Sequence, residues 1–307
     1  MNSSSRDSVW RDETDHQTPP AARAARWRLR DAWLDLQTPQ IMAVCNVTPD
    51  SFSDGGEHCS VDLALQFAEA AWQAGATILD VGGESTRPGA TPVAPDTEIA
   101  RVVPVIEAVR AQVPAMLISV DTVKSTVARA AIEAGAHAVN DVSAGRLDPA
   151  IFGVVASTGA GLVLMHSRGS VHDMASYAHA SYGADAVGEM IAELLQRVSL
   201  ARAAGVADDA IVLDPGLGFS KTSAQSIETL RSIGRFVSLG HPVLVGASRK
   251  RFIGELTGVT EPSRRVTGSV TAHVLAVQGG ARIVRTHDVE ATRHGLSVAG
   301  AVGWPGR

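Results

Sequence analysis

The sequence predicts a (β/α)8 barrel, and three observations carry that expectation. Eight short apolar runs recur along the chain, at Ile41–Cys45, Thr77–Val81, Met116–Val120, Ala136–Val139, Leu162–Met165, Ile211–Leu213, Val243–Val245 and Arg282–Val284. Helical patterns lie between them. The runs are apolar throughout rather than alternating, as strands are when both faces are covered. Eight such units over roughly 265 residues match the size of a barrel of this kind. An open doubly wound sheet is the runner-up, but the first run lacks the Gly-rich dinucleotide turn that one such fold carries.

Each element follows in order. Residues 1–25 mix Ser, Asp, Arg and Pro without apolar periodicity, and read as a flexible tail ahead of one barrel domain over residues 26–307. Its arginines suit a solvated arm leading into the fold. From Trp27 to Leu36 apolar and polar residues alternate with period two, which predicts a short N-terminal hairpin. Helical segments then include Val61–Ala74, Asp96–Gln112, Val123–Ala134, Asp185–Ala204, Ser223–Ile233 and Arg264–Gln278. Gly75, Gly135, Gly205 and Gly279 follow four of them, where a helix C-terminal cap belongs.

Composition narrows the function. The 307 residues are 45% hydrophobic, enough for a large core. A net charge of -5 argues against a general nucleic-acid partner. No apolar run reaches the ~18 residues of a membrane helix. The polar, acidic start carries no signal-peptide pattern. Only Cys45 and Cys59 occur, so a disulfide framework is excluded and a reducing, cytoplasmic location is expected. Cys45 reads as a buried thiol and Cys59 as a loop residue.

A barrel brings the carboxyl ends of its strands to one face, where chemistry sits. The first strand ends in Asn46 and a polar loop through Asp50, Phe52 and Asp54. The second carries Asp80 and then the run 82–90. The others end in Asp121, in Asn140 and Asp141, in Met165 and His166, in the run 214–221, in the run 246–254, and in Arg285, His287 and Asp288. Polar groups at one end of apolar strands are costly to bury unless used. Asp121, Asn140 and Asp214 suit the amino- and amide-bearing edge of a flat heterocycle. Asn46, Arg87, Arg285 and His287 form a second, anion-binding set, because the guanidinium fork matches phosphate oxygens. Loop carboxylates beside a phosphate need a cation between them, and oxygen ligands point to magnesium. Ser248 to Arg251 stand at a helix start, where backbone N–H groups favour an anion. Asp141 reads as a loop brace. His166 reads equally as a catalytic or a structural histidine, and Lys221 as a helix-start lysine or a ligand.

The blocks LDVGGESTRPGA, SVDT, VNDVSAG, VLMH, LDPGLGFSK, VGASRKRFIG and VRTHDV, with the first loop Asn46–Gly56, resemble dihydropteroate synthases, in that family's order over residues ~28 to ~300. The resemblance implies a homodimeric barrel that condenses 6-hydroxymethyl-7,8-dihydropterin pyrophosphate with p-aminobenzoate, and that sulfonamides inhibit. It implies that Asp121, Asn140, Asp214 and Lys250 bind the pterin, walled by Met165, Phe219 and Gly246. It implies that Asn46 helps hold Mg2+, with Arg87, Arg285 and His287 on the pyrophosphate. Ser248, Lys250 and Arg251 would meet the aminobenzoate carboxylate, and Phe52, Thr86 and Pro88 would close over its ring. Asp54, Asp121, Asp214 and Lys250 are the implied catalytic groups. Ala43, Cys45 and Arg251 depart from the commoner Gly, Leu and Ser. A pterin-binding methyltransferase domain would not need the ESTRPGA and SRKRF blocks, and a non-catalytic relative should have lost loop or phosphate residues.

Overall fold

The computed structural model describes residues 25–48, 56–85, 89 and 91–303. The tail expected over residues 1–25 lies, but for Ala25, outside them. An antiparallel hairpin, β1 (Arg26–Leu29) and β2 (Ala32–Asp35), comes first. Strands and helices then alternate: β3 (Gln40–Asn46), α1 (Gly56–Gln73), β4 (Ile78–Gly82), α2 (Pro95–Gln112), β5 (Leu117–Asp121), α3 (Ser125–Glu133), β6 (Ala138–Asp141), α4 (Ala150–Thr158), β7 (Gly161–Met165) and α5 (Ala186–Ala203). The chain finishes with β8 (Ile211–Asp214), α6 (Ser223–Arg231), α7 (Ile233–Val237), β9 (Leu244–Val245), α8 (Arg251–Thr257), α9 (Val266–Gln278), β10 (Ile283–Thr286) and α10 (Val289–Val302).

Strands β3 to β10 form one parallel eight-stranded sheet in the order β8-β7-β6-β5-β4-β3-β10-β9. A parallel bridge between Leu213 and Val243, beside the bond from Leu213 N–H to the Pro242 carbonyl at 2.9 Å, nearly closes it into the expected barrel. Outward residues such as Leu79, Val81, Ile118 and Val139 pack beneath the helices, while Ile78, Met42, Ala138 and Val163 fill the interior. Turns match the glycine signals with one shift. Gly75, Gly135 and Gly205 are left-handed after their helices, but after α9 Gly279 is helical and the left-handed residue is Gly280. Among the described residues no helix is long and apolar enough to cross a membrane.

The hairpin plugs the barrel's amino-terminal end. Trp27, Leu29, Leu34 and Leu36 are buried against Met42, Ile78, Val212, Leu244 and Ile283. The Trp27 indole N–H donates to the Ala210 carbonyl at 2.7 Å. A Cβ on Gly161 would come within 2.6 Å of Leu29 Cδ2 and 2.8 Å of the Trp27 ring, so only glycine lets the hairpin seat there. Trp27→Ala is therefore expected to cost about 3–5 kcal/mol of stability. Because the plug lies at the far end from the strand carboxyl termini, substrate KM values should stay within about twofold. Denaturant unfolding together with steady-state kinetics checks both halves.

Candidate active site

The polar strand ends converge on one buried charge cluster. Inward positions of β4 follow the period of two, so Ile78, Asp80 and Gly82 face the interior while Leu79 and Val81 face the helices. Asp80 is wholly buried. Its Oδ2 accepts from Arg285 Nε at 2.6 Å and from Asn140 Nδ2 at 2.9 Å. Arg285 Nη2 reaches across to Asp121 Oδ2 at 2.7 Å. One guanidinium from β10 is thus shared by carboxylates from β4 and β5. The two groups read from the sequence, heterocycle readers and anion binders, are joined through Arg285. Asp80 is the member that strand-end reading left without a role.

Opposite stand Asp214 and Lys250. Asp214 Oδ1 accepts from Gly216 N–H at 2.7 Å, and the Lys250 ammonium lies 4.0 Å from the Phe219 ring centroid. Gly216 and Gly218 adopt φ of +69° and +78°, and a Cβ on Gly218 would press to 3.2 Å from Lys250 Cδ, so the glycines let the β8 loop turn under that side chain. Met165 and Phe219 are buried together in a small apolar cluster, and Gly246 sits beside Arg285, 3.8 Å from its Cβ when given one of its own. Burial pushes Asp121 up to about 7, against the pull of Arg285, and Asp214 up to about 6, against Gly216 N–H and Lys250. Burial and the Arg285 charge push Lys250 down to about 8.

Lys221 stands at the start of α6, one residue before its N-cap Thr222, and is not open to a ligand. Its side chain is wholly buried, and its ammonium donates to the Gly216 and Phe219 carbonyls and to His166 Nδ1, each at 3.0 Å. His166 then hands its other nitrogen to Glu193 at 3.0 Å. Burial and the neighbouring lysine push His166 down to about 4, so it is a neutral link in a brace behind the loop that carries Asp214 and Phe219. Asp141 braces its own turn as expected, accepting from Ser143 N–H and Oγ at 2.8 Å each.

The β9 and β10 ends carry the third group. Ser248 Oγ accepts from His287 N–H at 3.1 Å and lies 2.9 Å from His287 Nδ1. A hydroxyl that accepts on one side can donate to Nδ1 on the other, which leaves the ring proton on Nε2. Burial and the Arg285 charge push His287 down to about 3, so it is a neutral donor. Ser248 is buried and engaged by His287. Lys250 is the N-cap of the seven-residue α8. Arg251 is exposed, its guanidinium 3.7 Å from the Tyr177 ring centroid rather than turned toward the carboxylates.

Phe52, Asp54, Thr86, Arg87 and Pro88 lie outside the described residues. The root of the second loop is described. Glu84 accepts from Val93 N–H at 2.6 Å and from Lys124 Nζ at 2.8 Å, and Lys124 also pairs with the buried Glu98. Among the described residues no group of three or more His, Cys, Asp or Glu could hold a metal. Asn46, half-buried at the end of β3, offers one neutral oxygen. Magnesium takes few protein ligands when phosphates and water supply the rest, so this donor suits it. Cys45 is buried, and burial pushes its thiol up to about 12, as an inert packing residue.

Comparison with known proteins fits this geometry. A family described as pterin binding enzyme matches residues 42–287. The chain is 45% identical over 262 residues to a dihydropteroate synthase of Synechocystis sp., covering 85% of this chain and 89% of that one. It is similar to a solved Xanthomonas albilineans dihydropteroate synthase with 4-aminobenzoic acid, at a TM-score of 0.84 and 45% identity over 91% of this chain and 98% of that one. It is similar also to a Xanthomonas albilineans dihydropteroate synthase in complex with 7,8-dihydropteroate, at a TM-score of 0.81 and 42% identity, covering 90% and 98%.

Proposed function

The chain belongs to the pterin binding enzyme family, and we propose that it condenses 6-hydroxymethyl-7,8-dihydropterin pyrophosphate with p-aminobenzoate, yielding 7,8-dihydropteroate and pyrophosphate. It is a transferase of folate synthesis and a sulfonamide target. The observation that carries the reading is the convergence of Asp121, Asn140 and Asp214 from three strands around Arg285 and Lys250.

The residues divide the work. The pterin's amino and amide edge donates to Asp121 and Asp214, and Asn140 both accepts and donates. Lys250 meets the acceptor side, and Met165, Phe219 and Gly246 wall the ring. Arg285, Arg87 and the Nε2–H of His287 hold pyrophosphate oxygens. Asn46 would help hold Mg2+, which would supply charge neutralisation to the leaving group. The C–O bond breaks with its electron pair leaving on pyrophosphate. Asp121, Asp214 and, from the first loop, Asp54 stabilise the pterin cation left behind. The neutral arylamine then attacks that carbon, forms the C–N bond and loses a proton. The backbone N–H of Ser248, the Lys250 ammonium and, once it turns from the Tyr177 ring, Arg251 receive its carboxylate, while Phe52, Thr86 and Pro88 close over its ring and exclude water. A homodimer of this barrel domain, residues 26–307, in the cytoplasm completes the proposal, with small-molecule substrates, no nucleic acid and no membrane partner.

The titrating groups predict a narrow bell in kcat/KM. The acid limb should have its half-point between about 6 and 7, because protonating Asp121 or Asp214 removes the negative charge the pterin edge meets. The alkaline limb should fall near about 8, as Lys250 loses its proton. A profile flat from about pH 5 to about 9 would contradict these assignments. The function itself is tested by incubating the purified chain with both substrates and magnesium and following 7,8-dihydropteroate by mass. Product that a sulfonamide suppresses competitively with p-aminobenzoate supports it. Absence of product sinks it.

A further inference from the structure

Asp80 is a buried charge at the centre of the site that the proposed chemistry does not use. It lies on an inward position of β4, wholly buried, with Val44 of β3 and Ser119 of β5 as its register partners. Both of its contacts run through one oxygen, Oδ2, to Arg285 Nε and Asn140 Nδ2. Among the described residues, the other oxygen, Oδ1, is buried without a hydrogen-bond partner, and so is the hydroxyl of Ser119. A buried carboxylate with an unpaired oxygen is a poor source of stability, because its desolvation is only partly offset. What Asp80 does hold is geometry. It ties the amide proposed to read the pterin to the guanidinium proposed to draw off the pyrophosphate.

We propose that Asp80 is a positioning residue, a fixed pivot that anchors Arg285 by Nε and Asn140 by its amide so that pterin recognition and leaving-group capture share one frame. The inference rests on the synthase reading. With Nε pinned, the planar guanidinium of Arg285 is held in one plane, so its Nη groups keep a fixed direction. Its bond from Nη2 to Asp121, 2.7 Å long, lies in the same plane and sets the carboxylate beside the fork. Phosphate oxygens then meet the fork in that fixed orientation, and Asp121 keeps its second oxygen for the pterin edge. Asn140 stays oriented, because its other bond does not move. Outer partners of this kind, which orient groups that themselves touch the ligand, commonly change activity 10–100-fold when lost.

Asp80→Asn is the test. The new amide keeps the side chain's shape and one acceptor oxygen for Arg285 Nε and Asn140, so folding should survive. The expected result is a kcat about 10–100-fold lower with p-aminobenzoate KM changed less than about twofold. In an Arg285→Lys background, which has no Nε to anchor, the same substitution should cost less than about threefold, since the two act as one unit. Equal losses in both backgrounds, or an Asp80→Asn enzyme with more than half of wild-type kcat, overturn the proposal. A wild-type chain that makes no dihydropteroate sinks the synthase reading instead, so the two failures are distinguishable. Nuclear magnetic resonance of the wild-type chain gives a second test that no folding defect can blur. The Nε–H of Arg285, assigned by its absence in Arg285→Lys, should be protected from exchange before and after adding inorganic pyrophosphate with magnesium. Loss of that protection on addition contradicts a fixed pivot.

Discussion

Asp121→Ala lowers kcat/KM for pyrophosphate release by at least about 10^3-fold. Two losses combine. The pterin loses a carboxylate acceptor, and Arg285 loses the partner that holds its Nη2 before substrate arrives. The folded state should tolerate the change. Arg285 keeps its bond to Asp80, so removing Asp121 leaves no buried charge unpaired. Asp121→Asn separates charge from shape. It keeps a hydrogen-bond acceptor, so pterin affinity should fall less than in the alanine variant while kcat falls as far. Stopped-flow pyrophosphate release and calorimetric pterin binding measure the two quantities. A variant within tenfold of wild type would remove Asp121 from the mechanism.

Lys221→Met has the second largest expected effect, and it acts on the fold. The ammonium is held by two carbonyls and His166 Nδ1 with no exposure. Methionine fills the volume but leaves those acceptors without a donor, about 1–3 kcal/mol for each one unsatisfied, offset in part because burial already pushes Lys221 down to about 7. The loop 214–221 depends on this tie. Gly216, Gly218 and Ser220 all take positive φ there, of 69°, 78° and 48°, a backbone path that few side chains favour and that the lysine holds together from inside. Pterin affinity should therefore fall with stability, through Asp214 and Phe219, although Lys221 touches no substrate. Lys221→Arg should not rescue it, because a planar fork does not fit three convergent acceptors spaced for one ammonium. Denaturant melts and pterin binding check the pair of effects, and an unchanged melt would show the tie to be dispensable.

Much of the barrel was legible because its strands are buried on both faces. Runs such as Ile41–Cys45 and Leu162–Met165 carry no polar residue, so each strand stood out, and the β1–β2 hairpin showed its period of two. Asp121, Asn140 and Asp214 were readable for the opposite reason, since a polar residue ending an apolar run has few uses besides binding. Other features had no such signal. Helix α4, AIFGVVAST, is apolar around most of its circumference and shows no amphipathic stripe. Strand β9 keeps only Leu244 and Val245 in its ladder, so a run of that length is weak evidence alone. Lysine is rarely buried, and nothing in the letters around Lys221 says that three acceptors will converge on it. Asp80 sits mid-strand, and its role depends on Arg285, 205 residues away. The contact of Arg251 with Tyr177 comes from a loop whose path the sequence does not reveal.

The most direct test is pyrophosphate release from the purified chain with dihydropterin pyrophosphate and magnesium, with and without p-aminobenzoate. The account predicts release that depends on p-aminobenzoate, matches dihydropteroate formed one for one, and disappears in Asp121→Ala and Lys250→Ala. Pterin binding without release, under conditions in which a family member turns over, would contradict it.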